Sequence, residues 1–312
     1  MKSPRRWTCC FWAFDAKKCL SAFPLTPLNA SGIDEAAFVR LVERLVAAGV
    51  DSIGALGSTG NYAYLSVAER ARVAQLAVQH AGDTPVMVGI GAVRTRDVLT
   101  LAEEAQQAGA SAVMLAPVSY QRLSPEEVYG LFEDVTRALS VPLCVYDNPG
   151  TTHFTFSDEL HGEIAHLPNV ASIKIPGVPN DPAEAKARVA RLRALIPSDV
   201  TIGVSGDAFA ALGLNAGCEV WYSAIGGTFP KTMLVITRAA QAGDAEEATR
   251  LVERLRPLWQ LFSETGGSLR VTAAAAELQG LVESPCLPRP LKAVDGEARQ
   301  RLAALIDELA LA

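Results

Sequence analysis

At 312 residues the chain has room for one large α/β barrel with extensions or for two small domains. It is 49% hydrophobic with a formal net charge of −6 at pH 7, an ordinary globular balance. That mild acidity, with no basic stripe, excludes nucleic acid as the main partner, and no apolar run approaches the ~20 residues of a membrane span.

Residues 1–20 differ from the rest. Arg5 and Arg6 precede an apolar stretch from Trp7 to Phe14, and Asp15, Lys17 and Lys18 follow it. The stretch is short and lacks a small-residue cleavage site, so it reads as a poorly specified N-terminal extension rather than a signal peptide. From there, short β-rich runs alternate with amphipathic helical patterns. The strands are expected at 21–25, 52–56, 85–90, 111–116, 142–146, 170–175, 200–205 and 219–224. The helices between and after them are expected at 34–48, 66–80, 95–108, 124–138, 157–166, 182–195, 208–216 and 229–242.

Ser66 with Glu69 and Ser124 with Glu127 form capping-box patterns, and glycines 49, 82, 109 and 217 fall near helix ends. The strands are continuously apolar, as parallel strands buried on both faces should be. Eight βα units in series favour an α/β fold of the (β/α)8 TIM barrel type over 21–242. A doubly wound sheet is the runner-up, but no G-x-G-x-x-G follows the first strand. After Gly243 the strand signal stops. Helical patterns at 244–264, 269–281 and 295–311 make 243–312 a C-terminal helical extension, expected to pack on the barrel or on a neighbouring subunit.

The six cysteines, at 9, 10, 19, 144, 218 and 286, form no C-x-x-C pair. Free thiols in a reducing cytoplasm are the expected state.

Lys174 carries the strongest chemical signal. It stands in the apolar strand Asn169-Val-Ala-Ser-Ile-Lys-Ile-Pro176, where a charge is costly unless it is paired, neutral or chemically engaged. Tyr146 ends the preceding strand, Val141-Pro-Leu-Cys-Val-Tyr146. Taken alone, Lys174 fits an exposed strand end and Tyr146 fits a core aromatic. Together they fit an amine nucleophile with a proton relay beside it, the equipment for Schiff-base chemistry on a carbonyl. Barrel sites lie at the C-terminal ends of the strands. Those ends also supply Thr26-Pro27, the small-residue loop Gly57-Ser58-Thr59-Gly60-Asn61, Tyr120 and Ser205-Gly206-Asp207. The Gly57–Gly60 loop suits a turn, or a nest for a carboxylate. A metal-dependent rival lacks ligands: there are four histidines, and H-E-x-x-H is absent. His161 and His166 fall on different helix faces, and only His153 lies near a barrel mouth. No metal or cofactor is expected.

These residues resemble the dihydrodipicolinate synthase/N-acetylneuraminate lyase family of class I aldolases. The carriers are Gly57-Ser58-Thr59-Gly60, Tyr146-Asp-Asn-Pro-Gly150 and Ser172-Ile-Lys174, supported by Pro117-Val-Ser-Tyr120, Ser205-Gly-Asp207 and Thr26-Pro27. The resemblance spans nearly the whole chain from Ser21. It implies a cytoplasmic barrel enzyme, a tetramer or dimer of identical chains, that binds pyruvate or a related 2-keto acid. In that reading Lys174 forms the imine and Tyr146 relays protons. Ser58 and Thr59 hold the keto-acid carboxylate, with Thr59 bridging to Tyr146. Tyr120 is lent to a neighbouring subunit's relay, and Gly206, Asp207 and Tyr222 line the substrate-binding pocket.

Two departures narrow the activity. Asn61 stands where the family's loop usually ends in glutamate, and Gly150-Thr151-Thr152-His153 lacks the arginine with which dihydrodipicolinate synthases clamp a second carboxylate. Threonine supplies neither the charge nor the paired donors of a guanidinium. The favoured reading is therefore an aldolase or dehydratase acting on pyruvate or a 2-keto-3-deoxy acid. A synthase-like condensing enzyme and a non-catalytic keto-acid-binding barrel stay open.

Overall fold

Eight buried parallel strands close on one another in the computed structural model, which describes residues 19–312. They are β1 (Cys19–Ala22), β2 (Ser52–Ala55), β3 (Val86–Gly89), β4 (Ala112–Leu115), β5 (Leu143–Tyr146), β6 (Val170–Ile175), β7 (Thr201–Ser205) and β8 (Val220–Ser223). Each pairs with its chain neighbour, and β1 pairs with both β2 and β8, which removes any free edge. This is the expected (β/α)8 barrel. Apart from Cys19 and Leu20, the expected N-terminal extension lies outside the described residues.

The surrounding helices are α1 (Glu35–Ala48), α2 (Val67–His80), α3 (Thr95–Ala108), α4 (Pro125–Arg137), α5 (Asp158–Ala165), α6 (Pro182–Leu195), α7 (Ala210–Ala216) and α8 (Pro230–Gln241). Ser66 and Ser124 form the expected capping boxes. Gly49, Gly109 and Gly217 end their helices in the left-handed region, which a residue without a Cβ enters at no steric cost. The apolar stripes of these helices face the outer surface of the strands in one continuous core. A second, smaller cluster fills the barrel itself, with Phe23, Met87, Met114, Cys144, Tyr146 and Tyr222 among its members.

Two expectations are corrected. The first strand begins at Cys19, two residues before the expected barrel start, and ends at Ala22 because Pro24 has no N–H to give a ladder. The single helix expected at 244–264 is two, α9 (Ala245–Arg254) and α10 (Arg256–Glu264), joined at Leu255. Pro257, in the first turn of α10, cannot donate to the preceding turn, so one continuous helix cannot run through it. Two more helices follow, α11 (Ser268–Leu278) and α12 (Gly296–Glu308). Residues of α11 and the segment after it pack against Leu25, Ala37 and Leu41, which ties the extension to the first βα unit. No helix among the described residues is long and apolar enough to cross a membrane.

Candidate active site

Tyr146 and Lys174 are direct register partners on β5 and β6, so the barrel sets them side by side at its C-terminal mouth. Lys174 is 5% exposed. Its Nζ lies 4.0 Å from the centre of the Phe23 ring, 4.1 Å from that of Tyr146 and 5.4 Å from that of Tyr222. Glycines make this cage possible. A Cβ at Gly54 or Gly57 would come within 2.5 Å of the Phe23 ring, and one at Gly203, the β7 partner of Lys174, would meet the Tyr222 ring at 2.2 Å.

Burial disfavours the ammonium and pushes the Lys174 pKa down from 10.5 to about 8, against the opposing pull of Cys144 and Asp207. The ring faces favour a cation by ~0.5–2 kcal/mol per contact, less than full desolvation costs. On the order of a tenth of the amine is therefore neutral at pH 7, several hundred times more than an ordinary lysine would offer, as a nucleophile requires.

The Tyr146 hydroxyl sits in a short chain of polar groups. Asn148 Nδ2 donates to it at 2.8 Å, and Ser58 Oγ lies 3.3 Å away. Because Oη already accepts from Asn148, its own proton is available for Ser58 or for a bound molecule. Burial raises the phenol's pKa, while the Ser58 and Asn148 contacts pull it down. The group that meets Tyr146 is thus Ser58. The expected bridge from Thr59 is replaced by its neighbour, because the tight turns Gly60 N–H to Gly57 O and Asn61 N–H to Ser58 O set which side chain of the loop faces the tyrosine. Thr59 is buried and lines the same cavity. Asn61 adopts φ 58°, a left-handed conformation that asparagine tolerates better than glutamate does, and its amide holds the Thr26 carbonyl at 3.1 Å.

Asp207 lines the cavity, but its carboxylate already accepts from Trp221 Nε1, Ser223 Oγ and the Ile225 N–H, which fastens the end of β7 to that of β8. The Tyr222 hydroxyl is turned into the barrel, 2.7 Å from Ser172 Oγ, so the cavity meets its ring rather than its hydroxyl. Gly206 lies at the cavity wall with φ 80°. Tyr120 is not brought into the site of its own chain: it is 91% exposed on the loop after β4. His153 is exposed, and among the described residues no cluster of three metal-ligating side chains occurs.

Several contributors were not evident in the sequence. Phe23 follows the first strand and carries no chemical signal, and Asn148 stands inside the Tyr146–Gly150 motif without an assigned role. Behind Tyr146, Asp147 and His161 form a buried pair, Oδ2 to Nε2 3.5 Å, with the His161 ring stacked on Phe156. Burial raises the Asp147 pKa to about 7 and lowers that of His161 to about 3, so both are neutral in mildly acidic solution. The cavity above Lys174 measures about 900 Å³, and its outer wall comes from α10 and α11, including Trp259, Phe262, Ser268 and Arg270.

Comparison with known proteins places this geometry. Residues 16–309 match the model of the dihydrodipicolinate synthetase family. The 4-hydroxy-tetrahydrodipicolinate synthase of Halorhodospira halophila is 32% identical over 288 residues, 89% of this chain and 93% of that one. The crystal structure of dihydrodipicolinate synthase from Agrobacterium tumefaciens superposes with a TM-score of 0.89 at 45% identity, covering 94% of this chain and 98% of the other. The chloride-inhibited dihydrodipicolinate synthase from Acinetobacter baumannii, solved with pyruvate, has a TM-score of 0.84 at 25% identity, covering 95% of this chain and all of that one.

Proposed function

The chain belongs to the dihydrodipicolinate synthetase family, a family of lysine Schiff-base lyases and condensing enzymes, and on that footing we propose roles for its residues and a direction for its chemistry. It is a pyruvate-type Schiff-base enzyme of the carbon–carbon or carbon–oxygen lyase class. Lys174 is the nucleophile. Its neutral Nζ attacks C2 of a 2-keto acid and the carbonyl π pair moves to oxygen. After proton transfer, water leaves the carbinolamine and the C2–Nζ imine remains. The hydroxyl groups of Ser58 and Thr59 hold the acid's carboxylate, and Tyr146 carries the protons with Ser58 as its partner.

From the imine two outcomes are open, each through its own enamine: that of pyruvate in cleavage, that of the intact substrate in dehydration. In aldol cleavage the C4 hydroxyl gives up its proton, the C3–C4 bond breaks and its electrons form the enamine. In dehydration a C3 proton leaves first and the C4 hydroxyl departs as water. We favour cleavage or dehydration of a 2-keto-3-deoxy acid over synthase-type condensation, because the segment after Tyr146 offers Thr151 rather than an arginine to the cavity, whose one arginine among the described residues, Arg270, comes from α11 at the outer wall. The similarity to enzymes named as synthases supports condensation as the second reading.

The observation that carries this reading is a lysine sealed in an aromatic cage, directly beside a tyrosine whose hydroxyl is already in a polar chain. Pyruvate release from a panel of 2-keto-3-deoxy acids tests it: release should be measurable for at least one member and abolished in Lys174→Ala. Turnover that survives Lys174→Ala would overturn it.

We further propose a homo-oligomer, tetramer or dimer, in which the exposed Tyr120 reaches a neighbouring subunit. The barrel, expected over 21–242 and beginning with the strand at Cys19, acts as the catalytic unit, and residues 243–312 act as its cap. Cys144 and Cys286 are buried thiols outside any disulfide, which supports a cytoplasmic setting.

A further inference from the structure

We propose that Arg270 recognises a carboxylate at the far end of the substrate, so that the preferred substrate is an extended 2-keto acid with a second, terminal carboxylate. The inference rests on the Schiff-base reading of Lys174.

At about 900 Å³ the cavity lies near the upper end of small-molecule sites and far exceeds what a three-carbon acid fills. Lys174 and the Ser58–Thr59 loop account for the inner end. Between the two ends the wall offers Asn148, Thr151 and Ser205, which suit a hydroxylated chain. Three charged residues line the cavity: Lys174, Asp207 and Arg270. Lys174 is engaged with the keto group, and Asp207 is held by three internal donors. Arg270 is the charge that remains for the outer end.

Its setting suits an anionic partner. Nη1 donates to the Lys292 carbonyl at 2.9 Å, which steadies the head. Among the described residues no carboxylate pairs with it, whereas nearby Arg299 and Arg301 are paired with Glu277 and Glu264. The Nε–Nη2 edge is left, and that edge presents two parallel N–H groups to a planar carboxylate. Arg270 also occupies the first turn of α11, whose N-cap is Gly267 with no capping side chain. A cation there opposes the positive end of the helix and is locally the wrong choice. A bound carboxylate would satisfy the open edge of the guanidinium and offset the positive charge at this end of the helix. The glycines at 266 and 267, with φ 78° and 118°, make the turn that brings α11 to the rim.

The test uses a matched pair of 2-keto-3-deoxy acids of equal length, one ending in carboxylate and one in hydroxymethyl, plus a phosphate-terminated analogue. The full-length protein and its Arg270→Gln and Arg270→Lys variants are assayed for substrate loss, with pyruvate or the dehydrated keto acid as the product followed. The wild type should prefer the diacid. In Arg270→Gln the diacid-to-monoacid ratio of kcat/KM should fall by about 10- to 100-fold, mainly through KM, the size of a lost charge-assisted hydrogen bond. Arg270→Lys should recover part of it. An unchanged ratio, a wild-type preference for the monoacid, or a stronger preference for the phosphate ester overturns the carboxylate assignment. Borohydride trapping of pyruvate on Lys174 runs alongside. No trapping in the wild type would instead defeat the underlying Schiff-base reading, while equal trapping in all three proteins with an unchanged ratio defeats the Arg270 inference alone.

Discussion

Replacing Lys174 by methionine should stabilise the protein at neutral pH, and the gain should vanish as pH rises. The side chain is sealed among Phe23, Tyr146 and Tyr222, and its pKa is displaced from 10.5 to about 8. At about 1.4 kcal/mol per tenfold change in acidity, the folded state disfavours the ammonium by about 3 kcal/mol relative to the unfolded chain. The sign follows from proton counting. Below pH 8 both states bind the proton, and the folded protein bears the full penalty. Between pH 8 and 10.5 the unfolded chain keeps its proton while the folded one releases it, so wild-type stability rises with pH in that window. Methionine, of similar length and uncharged, has no such dependence. Urea denaturation of both proteins at pH 7 and pH 10 isolates the effect, since other titrating groups cancel in the difference. The stability advantage of Lys174→Met should shrink by about 2.5 kcal/mol between the two pH values. A difference that stays constant with pH would show that Lys174 keeps an ordinary pKa, and would remove the physical basis for its nucleophilicity.

Because only the neutral amine attacks, kcat/KM should rise nearly tenfold per pH unit through the acid range and level off near pH 8; a limb still climbing past pH 10 would contradict it. Tyr146→Phe should lower kcat by about 10²–10⁴-fold in steady-state assays while leaving the imine amine in place. Ser58→Ala, which cuts the contact to Tyr146, should act mainly on kcat, whereas Thr59→Val should act mainly on KM for the keto acid. Gly203→Ala would drive a methyl to within 2.2 Å of the Tyr222 ring. A loss of about 1–3 kcal/mol in urea denaturation is expected, with the kcat/KM limb shifted upward as the cage opens.

The barrel was legible because its strands are short, continuously apolar and separated by helical patterns of regular length. β6, α3 and α6 fall on the expected residues. The first strand slipped because a run of apolar residues does not reveal where pairing stops, and Pro24 stops it. Lys174 was legible for the opposite reason, as a charge that its local context could not explain. What surrounds it was not. The ring of Phe23 reaches Lys174 only because Gly54 on β2 and Gly57 just after it leave space for that ring, as Gly203 on β7 does for Tyr222. Ser58 and Thr59 are adjacent and chemically alike, so only the backbone of the loop decides which meets Tyr146. Arg270 lies almost a hundred positions beyond Lys174 and joins the cavity through the packing of α10 and α11 over the barrel mouth. No local pattern reports that.

The central claim is that Lys174 forms an imine with a 2-keto acid. Incubation with pyruvate and borohydride, followed by peptide mass spectrometry, tests it most directly. The account predicts a reduced pyruvate adduct on the peptide containing Lys174, with loss of activity that tracks labelling and no such adduct in Lys174→Ala. Full activity after that treatment, or labelling confined to other lysines across a range of 2-keto acids, would contradict it.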